Sequence, residues 1–184
     1  SAKDTTKCEA LPFGGGVGML MTPQPIYDAL TSIEGYESAH KIYMSPVGET
    51  LKQDKVMALS EKQHLIILCG HYEGIDQRII DMLIDEEISI GDYVLTGGEL
   101  PAMVVVDAVA RYIPGVLGKS ESADDESFAS GMLEYPQYTR PQNFMGHVVP
   151  EILVSGNHEK IAEWKRNQAK KITEKRRPDL LNKK

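Results

Sequence analysis

Hydrophobic residues in the first two thirds of the chain fall into short groups with two kinds of spacing. Groups with helical spacing predict helices over 22–33, 51–60, 75–83 and 99–112. Short continuous apolar runs predict strands over 41–45, 64–69 and 87–90. The run 64–69 is typical of a parallel strand that is covered on both faces. The alternation of strands and helices therefore predicts a parallel α/β sheet.

The predicted strand ends indicate where a ligand would bind. In parallel α/β sheets, ligands bind beyond the carboxyl ends of the strands. Segments 45–48, 70–74 and 90–93 follow three successive strands and contain glycine, hydroxyl and carboxylate groups. We expect these three segments to converge on one pocket.

A glycine-rich segment over 14–18 precedes the first predicted helix. It lacks the Gly-Lys-Ser/Thr ending of phosphate-binding loops, and no strand is predicted before it, so neither nucleotide fingerprint is met. Four glycines in five residues favour either a tight turn or the close approach of a ligand or RNA. Both alternatives stay open.

The C-terminal third differs in pattern and in charge. Segment 118–130 is polar and acidic and predicts a flexible linker, whereas 158–174 predicts a helix. The net charge is −7, yet residues 157–184 contain ten Lys/Arg against four Asp/Glu, and 1–156 contain ten against twenty-three. Such asymmetry is typical of a basic arm that meets phosphates, although a solvated, charge-rich helix is an equal alternative.

Several classes of protein are excluded or disfavoured. No apolar run approaches the roughly 20 residues that cross a bilayer, so no membrane partner is expected. The five histidines and two cysteines lack metal-ligand spacing, so no metal site is predicted. Cys69 ends an apolar run and is interpreted as a buried thiol in a reducing cytosol.

Several polar residues allow a catalytic or a structural interpretation. Glu73 and Asp76 are either acid–base groups or helix caps, and Arg111 either acts in chemistry or complements a helix dipole. The acidic residues Asp124, Asp125 and Glu126 are interpreted as solvent-exposed charges of the linker. Composition and spacing alone indicate an α/β enzyme with a pocket at three strand ends.

Read together, the motifs indicate a family. They are 13–19 (FGGGVGM), 45–48 (SPVG), 69–76 (CGHYEGID), 89–100 (SIGDYVLTGGEL), 111–118 (RYIPGVLG), 138–141 (YTRP) and 155–158 (SGNH). These strings resemble the bacterial tRNA (guanine-N1)-methyltransferases, which belong to the SPOUT class. The resemblance extends over nearly the whole chain from Pro12 onward.

The resemblance implies a fold and a domain organisation. It implies an α/β parallel sheet with a deep trefoil knot, plus a partial, mainly helical C-terminal region. By resemblance, 1–117 is a knotted S-adenosylmethionine-binding catalytic domain that lacks the family's N-terminal strand and helix. Segment 118–130 is then the linker, and 131–184 a truncated helical tRNA-binding domain.

The resemblance also implies which residues bind S-adenosyl-L-methionine. They lie in the three strand-end loops: Ser45, Pro46, Gly70, Tyr72, Glu73, Gly74, Ser89, Ile90, Gly91, Asp92, Tyr93, Val94, Leu95, Gly97 and Gly98.

The implied reaction is methylation of N1 of the guanosine 3′ of the anticodon in tRNA. By resemblance, Arg111 stabilises the charge on O6, and Glu126 stands where the family has an aspartate that accepts the N1 proton. Glutamate is one methylene longer, so the neighbouring Asp125 is the alternative base.

The resemblance finally implies tRNA as partner, a cytoplasmic location and a homodimer whose subunits share each active site. The alternatives are another SPOUT RNA methyltransferase or a non-catalytic RNA-binding module of the same fold. The pairing of Arg111 with Glu126 argues against methylation of ribose.

Overall fold

The computed structural model describes residues 7–116, 127–128 and 131–181. The chain divides into two compact units, 1–117 and 118–184, and each is described by itself.

The first unit is built on a parallel three-stranded sheet. Its strands are β3 (His40–Thr50), β4 (Leu65–Cys69) and β5 (Glu86–Ser89), in the order β4-β3-β5. Both neighbours of β3 run parallel to it. The helices that connect and cover the strands are α1 (Pro23–Thr31), α2 (Gln53–Ser60), α3 (Gln77–Leu83) and α4 (Glu99–Ala110). The mixed α/β class and the parallel sheet predicted from the sequence are confirmed.

Two hydrophobic clusters cover the two faces of the sheet. On one face, Tyr43 of β3 packs with Ile26 of α1 and Ile79 of α3. On the other, Ile42 of β3 packs with buried residues of α2 and α4, including Val105. Successive residues of β3 therefore point into opposite clusters, as the pleat of a strand requires.

Strand β3 is longer than predicted and contains an irregularity. The prediction ended it at Ser45, but the strand continues to Thr50. Both Met44 and Glu49 pair with Ile88 of β5, so the residues between them bulge out of the ladder. Pro46 has no N–H to donate to a ladder, which suits a bulge.

Helix α3 begins two residues later than predicted. Asp76 caps it: its carboxylate accepts the N–H of Arg78 and pairs with the Arg78 guanidinium. The Arg78 side chain, by donating to this carboxylate, holds the pKa of Asp76 below its usual range. Asp76 is therefore a cap, which decides one alternative that the sequence left open.

The glycine-rich segment is part of a hairpin. A short strand β1 (Glu9–Ala10) precedes it and pairs antiparallel with β2 (Leu20–Met21) that follows it. The expectation that no strand precedes the glycines is therefore wrong. A two-residue strand is too short to carry an apolar pattern of its own.

The second unit consists mainly of helix. It contains a hairpin of β6 (Asn143–Phe144) and β7 (His147–Val148), a short helix α5 (Glu151–Val154) and the long α6 (His158–Arg176). A 3-10 turn, Pro178–Leu180, follows α6. The fully buried Thr173 accepts the N–H of Leu133 on its hydroxyl and thereby ties the chain before β6 to α6.

Candidate active site

The three strand-end segments meet in one cleft. The bulge of β3, the loop after β4 and the loop after β5 line a cleft of about 380 Å³. This volume lies within the roughly 300–1,000 Å³ of small-molecule sites. The expected convergence of the three loops is therefore observed.

The fifteen residues predicted to bind the cofactor line this cleft, with the exception of Asp92. Asp92 is exposed between Gly91 and Tyr93, both of which line the cleft. Lining the cleft does not by itself test cofactor binding, which stays a prediction.

Gly98 holds two of the loops in close contact. Its N–H donates to the carbonyl of Gly70 at 3.0 Å. A Cβ added at Gly98 would lie 2.8 Å from the Cα of Cys69, a backbone atom that cannot rotate away. The loop after β5 can therefore lie against the end of β4 only because residue 98 has no side chain.

Ser89 fixes the start of the loop after β5. The Ser89 side chain is buried, and its hydroxyl donates to the carbonyl of Gly91 at 3.0 Å and accepts the Gly91 N–H at 3.2 Å. Gly91 has a φ of 151°, in the region that favours glycine. The serine and the glycine together set the turn that leads the chain along the cleft.

Ionisable side chains line the cleft as well. Glu73 and Glu87 contribute carboxylates, and Tyr43 contributes a hydroxyl that accepts the N–H of Ile75. Burial and the nearby Glu87 raise the pKa of Tyr43 above its usual value, so this hydroxyl stays protonated. The carboxylates make the cleft favourable for a positively charged ligand.

A histidine that lines the cleft contacts a glutamate next to it. His71 follows β4, Glu99 begins α4, and His71 Nε2 lies 2.6 Å from Glu99 Oε1. The backbone N–H of Glu99 and the hydrogen bond from His71 hold the pKa of Glu99 below its usual value. Sequence reasoning missed this pair because no spacing along the chain indicates a contact between the two loops.

The glycine-rich hairpin lies against the same loops. The Glu73 N–H donates to the carbonyl of Met19 at 3.0 Å, and a Cβ added at Gly18 would lie 2.5 Å from Glu73 Cγ. Tyr72, at the edge of the cleft, has a raised pKa because its hydroxyl donates to Glu9. The hairpin is therefore tied to the cleft by backbone and side-chain bonds.

Arg111, the one predicted catalytic residue within the described ranges, does not line this cleft. Arg111 forms the C-cap of α4, whereas the cleft lies at the N-terminal end of that helix. Twelve helical residues separate the two ends by about 18 Å. Asp125 and Glu126 lie outside the described residues.

Over 7–116, 127–128 and 131–181, no three His, Cys, Asp or Glu side chains form a group that could hold a metal ion. Among the helices within those ranges, none combines the length and the apolar character needed to cross a membrane.

Comparisons with known proteins identify the chain's relatives. The family model described as tRNA (Guanine-1)-methyltransferase TrmD matches residues 1–183. A tRNA (guanine-N(1)-)-methyltransferase from Alkaliphilus oremlandii (strain OhILAs) is 58% identical over 182 residues, which cover 95% of this chain and 73% of the relative. Proteins of the same name from Clostridioides difficile (strain 630) and Geobacillus kaustophilus (strain HTA426) are 53% and 55% identical. They match 96% and 93% of this chain and 78% and 70% of their own lengths.

A ligand-sized cleft at the carboxyl ends of a parallel sheet, combined with these matches, defines an enzyme of the RNA-modifying methyltransferase class. Within that class, the chain belongs to the tRNA (guanine-1)-methyltransferase family.

Proposed function

We propose that this protein transfers a methyl group from S-adenosyl-L-methionine to N1 of the guanosine 3′ of the anticodon in tRNA. The family match over residues 1–183 carries this proposal. The matched relatives are named for guanine-N1 methylation of tRNA, so neither of the two alternative functions is favoured. The reaction is proposed to take place in the cytoplasm.

The composition of the cleft supports S-adenosyl-L-methionine as the ligand. The cofactor carries a sulfonium and an ammonium group, and two carboxylates, Glu73 and Glu87, line the cleft. Glycines at 70, 91 and 97 leave backbone groups accessible to the hydrogen-bonding edge of a nucleoside. When bound, the cofactor supplies a methyl group on a positively charged sulfur that departs as a neutral thioether.

Residues of the chain supply the acid–base chemistry. Guanine N1 carries a proton at neutral pH, and the carboxylate of Glu126 accepts that proton so that the N1 electron pair can bond to the methyl carbon. Negative charge moves towards O6, where the Arg111 guanidinium stabilises it. A comparison of Glu126→Gln with Asp125→Asn decides which carboxylate is the base. The enzyme loses methyl transfer when the essential carboxylate is replaced by an amide.

The predicted trefoil knot is part of the proposal. Close contacts between chain segments support it: Gly48 has no room for a Cβ, which would lie 2.5 Å from the carbonyl carbon of Glu87. A Cβ added at Gly98 would lie 2.8 Å from Cys69 Cα and 3.1 Å from Gly70 N. Glycine at such contacts lets three loops cross within one small volume.

The exposed face of α4 supports a homodimer. Its described residues form an apolar stripe: Leu100, Met103 and Val104 are all exposed although they are hydrophobic. The opposite face of α4 is buried in the core, where Val105 and Val109 lie. A helix that is apolar on both faces is expected to be covered on both, and a second copy of this chain supplies the cover.

A two-fold dimer through α4 also explains the position of Arg111. The spacing of 3.6 residues per turn places Arg111 on the same side of the helix as Leu100 and Val104. If two α4 helices pack antiparallel about a two-fold axis, the C-terminal end of each lies near the N-terminal end of the other. Arg111 of one subunit then approaches the cleft of the second.

Helix α6 supports binding of tRNA. It contains seven Lys/Arg and three Asp/Glu, and six of the basic residues are exposed. Lys165 instead packs over the ring of Tyr135, with its Nζ 4.5 Å from the ring centroid. An exposed basic helix is suited to contact with phosphates.

Methyl transfer to tRNA transcripts tests the proposed function. We expect N1-methylguanosine with transcripts that carry guanosine 3′ of the anticodon, and none when adenosine replaces it. Arg111→Ala is expected to abolish methylation and leave the Kd of the cofactor nearly unchanged, because Arg111 lies far from the cleft of its own chain. Methylation of transcripts that lack this guanosine contradicts the proposal. A loss of cofactor affinity in Arg111→Ala as large as the loss of activity contradicts it as well.

A further inference from the structure

The contact between His71 and Glu99 links the two loops that form one side of the cleft. His71 lies in the loop after β4, and Glu99 is the first residue of α4, directly after the loop that follows β5. The Nε2–Oε1 distance of 2.6 Å is short for an N–H···O bond, as expected when the acceptor is charged.

A second bond joins the same loops next to this pair. The Gly98 N–H donates to the carbonyl of Gly70, one residue before each member of the pair. Gly97, which lines the cleft, lies directly beneath the two side chains: a Cβ added there would meet Glu99 Oε2 and His71 Cε1. The pair therefore packs against the backbone of Gly97, and the His71 side of the pair itself lines the cleft.

The exposure of the pair argues against a role in folding stability. The side chains of His71 and Glu99 are 53% and 56% exposed. Ion pairs with that exposure typically contribute about 0–1 kcal/mol to stability. A contact that fixes a binding loop before the ligand arrives can still increase affinity, because less ordering remains to be done on binding.

We propose that His71 and Glu99 are positioning residues that hold the loop after β5 against the loop after β4 and so keep the cofactor cleft in its binding shape. This inference rests on the proposed function for the identity of the ligand, but the contact itself joins two side chains of the chain. His71 acts through Gly97 and Gly98 and is not assigned to the chemical step.

The chain contains a matched control at the other end of the sheet. His40 Nε2 lies 2.7 Å from Glu86 Oε1, and these side chains are 24% and 19% exposed. His40 begins β3 and Glu86 begins β5, so this pair lies at the amino ends of the strands, away from the cleft. The two pairs share their chemistry and differ in position and burial.

Calorimetric titration with S-adenosyl-L-methionine tests the inference. We expect His71→Ala to raise Kd by about fivefold to tenfold, the effect of losing one charge-assisted contact, with the melting temperature nearly unchanged. His71→Gln should restore most of the affinity, because its amide N–H can donate to Glu99. His40→Ala should lower the melting temperature and leave Kd unchanged.

A double-mutant cycle separates positioning from direct contact with the ligand. If His71 acts through Glu99, His71→Ala has no further effect on Kd in a Glu99→Ala background. Additive losses would mean that His71 touches the ligand independently and would overturn the inference. A Kd that does not change in His71→Ala would overturn it as well.

Hydrogen exchange tests the role of His71 and Glu99 without depending on cofactor binding. In the protein without ligand, the amide of Gly98 is expected to exchange faster in His71→Ala than in the wild type, whereas amides of β4 stay protected. Equal exchange at Gly98 refutes the positioning role whatever the ligand is. A wild type that does not bind the cofactor refutes the proposed function, and the exchange measurement still decides the role of the pair.

Discussion

Single glycines determine whether the cleft of this protein can form. At Gly98, the loop after β5 lies so close to β4 that an added methyl group would contact the Cα of Cys69 at 2.8 Å. A backbone atom inside a parallel sheet can yield only if the strand moves. The cleft and the packing of β4 are therefore coupled through this one residue.

We predict that Gly98→Ala lowers the free energy of unfolding by about 1–3 kcal/mol, the usual cost of overpacking, and raises the Kd of S-adenosyl-L-methionine at least tenfold. Urea denaturation and calorimetric titration measure the two effects. Gly115→Ala is the control: no atom of the described residues lies within 4 Å of the added Cβ, so among these residues the φ of 85° is what opposes the change. That substitution should cost about 1 kcal/mol and leave Kd unaltered. Normal cofactor binding by Gly98→Ala would show that the close contact is dispensable.

For single residues, the sequence predicted which loops form the cleft better than it predicted the side-chain contacts between those loops. Glycine and hydroxyl residues after an apolar run mark a strand end, so segments 45–48, 70–74 and 90–93 could be predicted from the pattern. The cleft residues within 94–98 followed only from the family resemblance. Asp92 shares those loops but lies outside the cleft, because the direction of a loop side chain does not follow from spacing. The pairing of His71 with Glu99 depends on two loops that meet only in the folded chain.

The bounds of helices and strands were predicted well where the apolar pattern is long. They were predicted less well where a local feature, such as a bulge, interrupts the element. Helix α4 was predicted to begin at Glu99, where the structure begins it. Strand β3 was predicted to end before Pro46, yet it resumes after the bulge because Glu49 and Thr50 pair with β5. Proline and glycine are typical both of strand ends and of bulges, so the sequence alone does not distinguish the two.

One carboxylate joins three elements at the amino ends of the strands. Glu86 of β5 accepts from His40 of β3 at 2.7 Å and from Lys55 of α2 at 2.6 Å. Desolvation acts to raise the pKa of Glu86, but the bonds from Lys55 and His40 outweigh it, so the pKa is lower than usual. The ionised form is therefore favoured by folding.

We predict that Glu86→Gln lowers the free energy of unfolding by about 1–2 kcal/mol near pH 7, because Lys55 and His40 lose a charged acceptor. A lowered folded pKa stabilises the fold above the ordinary glutamate pKa, about 4.3, and this stabilisation disappears as the pH falls through the folded value. The difference between wild type and variant should therefore shrink towards acid pH. Urea denaturation at several pH values measures it, and a difference that is the same at every pH would contradict the assignment.

The ligand-sized cleft and the basic helix lie in different units of the chain. The first contains the sheet and the cleft, and the second contains the basic helix α6. The family match extends across both units, which supports a single function for them. Within the first unit, α4 is about 18 Å long and Arg111 lies at the end opposite the cleft, which is the observation behind the proposal of an active site shared by two subunits.

The dimer proposal predicts that a charge disrupts the dimer at one of two equally exposed methionines and has no effect at the other. Met103 on α4 is 66% exposed and Met82 on α3 is 65% exposed, so exposure alone does not distinguish them. We expect Met103→Glu to convert a dimer into monomers, because a buried interface would have to desolvate the new charge, and Met82→Glu to remain dimeric. Sedimentation equilibrium measures the change. The Met103→Glu monomer should still bind S-adenosyl-L-methionine, whose cleft lies within one chain, but should lose methyl transfer, which needs Arg111 of the second subunit. A wild type that sediments as a monomer, or a monomeric variant that retains activity, would rule out a shared active site.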